Sequence, residues 1–198
     1  MRKIVDISCI IVLGCVLSCS KNYDKYPAIP SGSSQNIANA IIEIPSGTSE
    51  KWEMSKTDKK LRLEYVNNEP RIINYLPYPF NYGMIPNTLL SEENGGDGDP
   101  LDIIVLGDKI KRGKVVEVKV LGILSMIDRG EQDDKIIAVS KESKLYKFDD
   151  ISQLLKEMKG VDIIIKTWFA NYKGKNKIFV REIKDSEEAM RIIKLSIL

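Results

Sequence analysis

The chain contains no histidine, and its three cysteines, Cys9, Cys15 and Cys19, all precede residue 20. The commonest general base at neutral pH and the commonest zinc ligand are therefore both missing. Beyond residue 19 there is no thiolate nucleophile, no disulfide and no cysteine metal site. A strong charge imbalance is also lacking. The 30 Lys and Arg are interspersed with 28 Asp and Glu for a net charge of +2, so no global field draws the protein to nucleic acid or to an acidic surface. Chemistry is left to carboxylates, lysine, arginine, tyrosine, hydroxyls or a bound hard cation.

What is present suits one ordinary globular domain: 198 residues, 43% hydrophobic and 29% charged, enough for a single sizeable core. The first residues read as an address. Arg2 and Lys3 are followed by an apolar segment from Ile7 to Leu17, then Ser18-Cys19-Ser20. A basic start, a short apolar segment and a small residue before the break make a secretory signal, too short for a comfortable membrane span. Val16-Leu17-Ser18-Cys19 resembles the lipobox of bacterial lipoproteins, and Val12-Leu13-Gly14-Cys15 also fits that pattern but leaves a short apolar region. The expectation is a signal peptide over 1–18 and a lipid on Cys19, giving an exported, membrane-anchored protein on the periplasmic or outer-membrane side. Residues 19–39, with Pro27, Pro30, Gly32 and several Ser, lack periodicity and are expected to form a flexible tether. The folded domain is expected over 40–198.

Within that domain, alternating apolar residues predict strands at Ala40–Ile44, Lys51–Met54, Leu61–Val66, Leu101–Leu106, Val115–Ile127, Lys135–Val139 and Lys177–Ile183, with a bend or bulge at Gly122. Helices gather toward the end. Asp150 and Gln153 form a capping box for a helix over 151–158 closed by Gly160, and 161–171 places Ile164, Trp168 and Phe169 at helical spacing. Asp185 with Glu188 starts a last amphipathic helix. Many short strands with late helices predict a mainly β fold, a small closed β-barrel flanked by helices.

The chemically informative stretch is Asp97-Gly98-Asp99-Pro100-Leu101-Asp102, three carboxylates in six residues on a loop feeding a buried strand. Clustered carboxylates repel one another unless a cation holds them, and hard divalent cations prefer all-oxygen sites. A second acidic group, Asp128, Glu131, Asp133 and Asp134, follows the longest strand and runs into Lys135. Taken singly, the first group is also compatible with a solvated turn or a calcium loop, although the spacing departs from an EF-hand. The second alone reads as a hairpin tip. Lys51, Arg71, Lys135 and Lys173, with Tyr78, Tyr82 and Tyr172 near them, supply donors suited to phosphate oxygens.

In this order the motifs carry a family resemblance. Glu43-Ile44-Pro45, Lys51-Trp52-Glu53, Arg71, Tyr78-Pro79-Phe80-Asn81-Tyr82-Gly83, the Asp97–Asp102 signature, Asp128, Asp133-Asp134-Lys135 and Tyr172-Lys173 resemble the soluble, family I inorganic pyrophosphatases over about residues 41–183. The resemblance implies a five-stranded OB-like barrel and Mg²⁺-dependent hydrolysis of pyrophosphate, several ions per site. It further implies Asp97, Asp102 and Asp133 as metal ligands, Asp128 for further metals and Glu43 as an outer acid reaching metal through water. Asp99 is implied as the acceptor of the attacking water's proton. Lys51, Arg71, Tyr82, Lys135, Tyr172 and Lys173 form the implied substrate-binding set, with Glu53 and Tyr78 in support. Short bacterial relatives imply a homo-oligomer. The interval from Arg71 to Tyr78 is one residue shorter than in those forms, and the residues between Asp128 and Asp133 also depart from the commoner pattern.

Two other readings compete. Small barrels of this kind also bind oligonucleotides. Here, however, the aromatics sit beside carboxylates, which repel a phosphate backbone, and no nucleic-acid partner is expected. The other is a catalytically weak metal- or phosphate-binding lipoprotein that keeps the barrel.

Overall fold

The computed structural model describes residues 22–91, 96 and 98–198. Along the chain run β1 (Ile37–Ile44), β2 (Trp52–Met54), β3 (Leu61–Leu63), β4 (Tyr65–Val66), β5 (Glu69–Pro70), β6 (Asn81–Met84), β7 (Asp102–Leu106), β8 (Val115–Asp128), β9 (Glu131–Gln132) and β10 (Lys135–Ser140). They are followed by α1 (Ile151–Glu157), α2 (Val161–Asn171), β11 (Ile178–Lys184) and α3 (Ser186–Leu195). Five strands close on themselves in the order β1-β6-β7-β10-β8 and back to β1. All these pairings are antiparallel except β7 with β10. The fold class is thus the expected one, a mainly β protein built on a closed five-stranded OB-like barrel, with three α-helices packed around it.

The barrel strands are buried on both faces. Ile103, Val105, Ile136 and Ala138 pack with Ala189, Met190, Ile192 and Ile193 of α3 in one cluster. The alternate residues Ile104, Leu106, Ile137 and Val139 pack with Ile151 and Leu154 of α1 and Ile165, Trp168 and Phe169 of α2 in the other. Each such apolar side chain removed from water contributes about 1.5–3 kcal/mol before ordering costs.

β8 is long enough to serve β1 and β10 with its first part and β11 with its last. A register shift opposite Ile137 and Ala138 leaves Leu121 as an extra residue beside Gly122. An added Cβ at Gly122 would lie 2.4 Å from the Lys184 carbonyl oxygen, so the glycine allows β11 to cross closely. Val116, Val118 and Val120 belong to the α3-side cluster, whereas Leu124 and Met126 belong to the α2-side cluster. The bulge has inverted the alternation, and Asp128 continues the parity of Leu124 and Met126.

Several expectations need correction. The flexible tether does not extend to residue 39. Tyr23 and Ala28 are buried, β1 already begins at Ile37, and the Ala28 and Asn36 carbonyls accept hydrogen bonds from Asn39 and Val120. Proline and serine content hid a few well-placed apolar anchors. In α2 the inward residue is Ile165; Ile164 is exposed. Asp150 does cap α1 through the Ser152 N–H, but Gln153 reaches back to the N–H of Asp149 instead of closing a capping box on Asp150. Asp185 caps α3 on the Glu188 N–H as expected. β6 was not foreseen as a strand, because Pro79 stands just before it and Gly83 interrupts its short pattern.

Candidate active site

Strand order brings the two acidic groups to one end of the barrel. β7 and β10 run parallel with Asp102 opposite Lys135, each the first residue of its strand. β8 ends at Asp128, and Arg129 (φ 52°) and Gly130 (φ 98°) make the tight reversal into β9, the left-handed pair that a two-residue hairpin requires. The reversal delivers Asp133, whose N–H donates to the Met126 carbonyl at 3.0 Å. Asp134 is used structurally, accepting hydrogen bonds from Met126 N–H at 3.0 Å and from the Gln132 amide at 2.8 Å.

Lys135 is the centre of the arrangement. Its side chain is 1% exposed, and its ammonium pairs with Asp102 at 2.5 Å and with Asp133. Burial alone would lower this lysine, but the two carboxylates hold it well above its ordinary value. Burial would also raise Asp102; Lys135 and Lys51 outweigh it and keep that carboxyl below the usual range. Asp133 is held higher by burial, with Lys135 pulling the other way and Asp102 adding repulsion. Asp128 pairs with Lys173 beside this group.

A second bulge aims Glu43. In β1 the register slips between Ile42, opposite Gly83, and Ile44, opposite Tyr82. Glu43 is the extra residue. A Cβ at Gly83 would lie 1.8 Å from the Ile41 carbonyl oxygen, so only glycine permits this approach of β6 to β1. Glu43 is buried, accepts a hydrogen bond from Met54 N–H at 2.7 Å, and is pushed up to about 8, mainly by burial and in spite of Lys51. Lys51 lies 5.0 Å from the Tyr82 ring centroid, and Tyr78, Asp102, Glu43 and Glu53 around it more than offset the effect of burial, raising it.

Aromatic packing positions the remaining donors. Tyr172 stacks on Trp168 at 4.5 Å, Tyr78 lies 4.4 Å from Trp168 and 5.4 Å from Tyr82, and the Trp168 indole N–H donates to the Leu76 carbonyl. Burial raises Tyr78, Tyr82 and Tyr172, so all three stay protonated as donors. Arg71 faces Tyr172 and Tyr78, and one of its guanidinium nitrogens donates to both oxygens of Glu64 at 2.7 and 2.6 Å. Glu53 lies at the rim, raised by burial and by Glu64. Asp99 pairs with Lys56 from the β2–β3 turn. Glu43, Lys51, Glu53, Asp99 and Asp102 line one cavity of about 440 Å³.

The structure therefore gathers Glu43, Lys51, Tyr78, Tyr82, Asp102, Asp133, Lys135 and Tyr172, with Asp128, Lys173, Arg71, Glu53 and Asp99 around them. Asp97 and Cys19 lie outside the described residues. Sequence reasoning missed Glu64, Lys56 and Trp168. The first two sit in polar stretches where nothing marks one charge from its neighbours. Trp168, at helical spacing, was noted but not tied to the site.

The donor set fits a hard divalent cation. It is all oxygen, and the Asp128 Oδ1 is buried without a hydrogen-bond partner. Among the described residues, no three such side chains already form a closed metal cluster; Asp102 and Asp133 share Lys135 instead.

Comparison with known proteins agrees with this geometry. The inorganic pyrophosphatase family model matches residues 40–198. The chain is 37% identical over 173 residues to soluble inorganic pyrophosphatase 2 of Chlamydomonas reinhardtii, covering 85% of this chain and 83% of that one. It superposes on the inorganic pyrophosphatase of T brucei brucei with a TM-score of 0.81 at 31% identity, over 89% of this chain and 59% of that one. On an N-terminally truncated vacuolar soluble pyrophosphatase of Trypanosoma cruzi, solved in complex with PPi, the TM-score is 0.80 at 31% identity, over 89% of this chain and 76% of that one.

Proposed function

Because this chain belongs to the inorganic pyrophosphatase family, we propose that it hydrolyses inorganic pyrophosphate to two orthophosphates, with magnesium, at the site centred on Lys135. The observation that carries the assignment is the buried Lys135 ammonium held between Asp102 and Asp133 at adjacent strand ends. Such a lysine is fixed in place and permanently charged, ready to meet a dense anion.

Asp97, Asp102 and Asp133 are the residues that would hold magnesium directly, Asp128 would serve further ions, and Glu43 would act as an outer acid. Bound there, magnesium neutralises pyrophosphate charge and acidifies water, which supplies a competent nucleophile near neutral pH. The chain's own residues do the rest. Lys51, Arg71, Tyr82, Lys135, Tyr172 and Lys173 donate to phosphate oxygens and hold the leaving phosphate in line. One P–O bond forms from the attacking water as the bridging P–O bond breaks, and Asp99 accepts the proton that the water loses. Glu53 and Tyr78 support Lys51.

Phosphate release from pyrophosphate, measured with magnesium and with chelator, is the test. Magnesium-dependent release is expected, and its absence in folded protein would overturn the assignment in favour of a binding lipoprotein. The accompanying reading is export with a lipid on Cys19, supported by the basic, apolar and Ser18-Cys19 sequence of the leader. A homo-oligomer completes it, supported by the exposed apolar side chains of Val66, Ile72 and Leu76.

A further inference from the structure

Asn87 stands where several chain segments cross. Its backbone is left-handed, φ 52°, a region asparagine tolerates better than most residues. Its side-chain amide donates to the Asp24 carbonyl at 2.9 Å and to the Tyr26 carbonyl at 3.0 Å. Its own carbonyl accepts from the Leu198 N–H at 3.2 Å, and Leu89 N–H donates to Ser196 at 2.7 Å. The first described residues and the last thus meet on one short segment.

That segment also holds the acidic loop. Ile85 N–H donates to the Leu101 carbonyl at 2.9 Å, Leu101 N–H to the Thr88 hydroxyl at 3.0 Å, Gly98 N–H to the Leu90 carbonyl at 3.1 Å and Leu90 N–H to the Asp99 carbonyl at 3.3 Å. These bonds stand in for a strand pairing that Gly98 (φ 72°) and Pro100 prevent. The arm that Asn87 fastens reaches the same cavity, for Tyr23, Asp24 and Asn87 line it together with Glu43, Asp99 and Asp102. Tyr23 is buried there, its hydroxyl directed at the Gly113 carbonyl.

We infer that Asn87 is a positioning residue for the hydrolytic reaction: by clasping the Tyr23–Tyr26 arm it steadies segment 85–90 and, through it, the loop that aims Asp99 and Asp102. The arm is then a working wall of the catalytic cavity. The inference rests on the proposed pyrophosphatase reading for its kinetic consequence, but not for its structural one.

Two variants of the full-length protein separate the possibilities. Asn87→Gly keeps the left-handed backbone and removes the amide; Asn87→Asp keeps the shape and removes the donor hydrogens. Amide exchange at Gly98 and Leu101 should quicken on the order of ten-fold in both while Ile136–Val139 stay protected, because local opening then outruns global opening. The magnesium concentration giving half-maximal thermal stabilisation should rise about three-fold or more as the ligand loop loosens. Turnover should fall about ten-fold with KM for pyrophosphate within about two-fold, since the cations that hold substrate lie elsewhere. Faster exchange confined to residues 23–26, with unchanged loop exchange and magnesium response, would overturn the inference. So would uniform loosening of the whole barrel. An unaltered protein without pyrophosphatase activity would remove the proposed function and leave the exchange result to decide this one.

Discussion

At the scale of single residues, the proposed reaction assigns different work to carboxylates that look alike in sequence. Asp102 is half-buried against Lys135 and stays ionised, whereas Asp99 lies in the cavity wall opposite Lys56. Asp102→Asn and Asp133→Asn are therefore expected to weaken magnesium binding and turnover together, with the fold retained. Asp99→Asn should preserve magnesium and pyrophosphate binding while turnover drops about 10²–10⁴-fold, the usual worth of a positioned general base. Calorimetric titration with magnesium beside steady-state kinetics separates the two outcomes; equal loss of metal affinity in all three variants would erase the distinction. Residue types and order were legible through the family resemblance that the Glu43-Ile44-Pro45, Tyr78–Gly83, Asp97–Asp102, Asp133–Lys135 and Tyr172-Lys173 motifs carry together. What neighbours each residue was not: the Arg71–Glu64 pairing and the Lys56 partner of Asp99 depend on strand pairing across β2, β3 and the acidic loop.

Glu43 gives a pH signature at the same scale. Its folded value of about 8 lies above the ordinary 4.5, so between those values the folded protein holds a proton that the unfolded chain has released. Unfolding releases that proton, and metal-free stability must fall as pH rises through this window, by at most about 1.4 kcal/mol per pH unit from this group. Glu43→Gln fixes the neutral form and keeps an oxygen to accept from Met54. In chelator-treated protein the variant should lose this part of the pH dependence and become the more stable of the two near pH 8. Urea unfolding curves at pH 5 and pH 8 are the measurement, and parallel curves for both proteins would show that Glu43 does not carry the proton.

At the scale of elements, two bulges decide where the chemistry points. Alternation in the sequence revealed most of β7, β8 and β10, and Gly122 advertised the bend in β8. No local signal revealed the slip at Glu43, because a bulge is fixed by the partner strand. The signal that existed was Gly83, which here serves strand contact and not a turn. Gly83→Ala places a methyl group into the Ile41 carbonyl, and backbone on both sides cannot yield without opening β1 from β6. A loss of about 3 kcal/mol or more is expected, with weakened substrate binding as Glu43 and Tyr82 shift. A variant within about 0.5 kcal/mol of the parent in urea would mean that the strands separate at little cost, contrary to a close-packed barrel interior.

At the scale of the whole molecule, the arm before β1 changes how an anchor would act. Proline and serine content suggested a spacer holding the domain away from a surface, but Tyr23 and Ala28 are part of the fold. Three residues separate Cys19 from Tyr23, so four steps along the chain reach at most about 14 Å. A lipid on Cys19 would therefore hold the cavity wall formed by Tyr23 and Asp24 close to the headgroups. Among the described residues no helix is long and apolar enough to cross a membrane. Cys19→Ala should abolish acyl labelling and leave the protein unprocessed or released, with pyrophosphate hydrolysis intact once the protein is in solution. A chain starting at Ile37 should keep the barrel but lose the Ala28 and Asn36 hydrogen bonds and the Asn87 clasp. It is expected to unfold at lower urea than one starting at Asn22, because buried carbonyl partners and apolar contacts are removed together. Mass spectrometry of protein extracted from membranes decides the anchor directly. An unmodified Cys19, with Cys15 acylated or cleavage at another bond, would place the attachment elsewhere, while equal stability of the two shortened chains would return residues 22–36 to the role of a spacer.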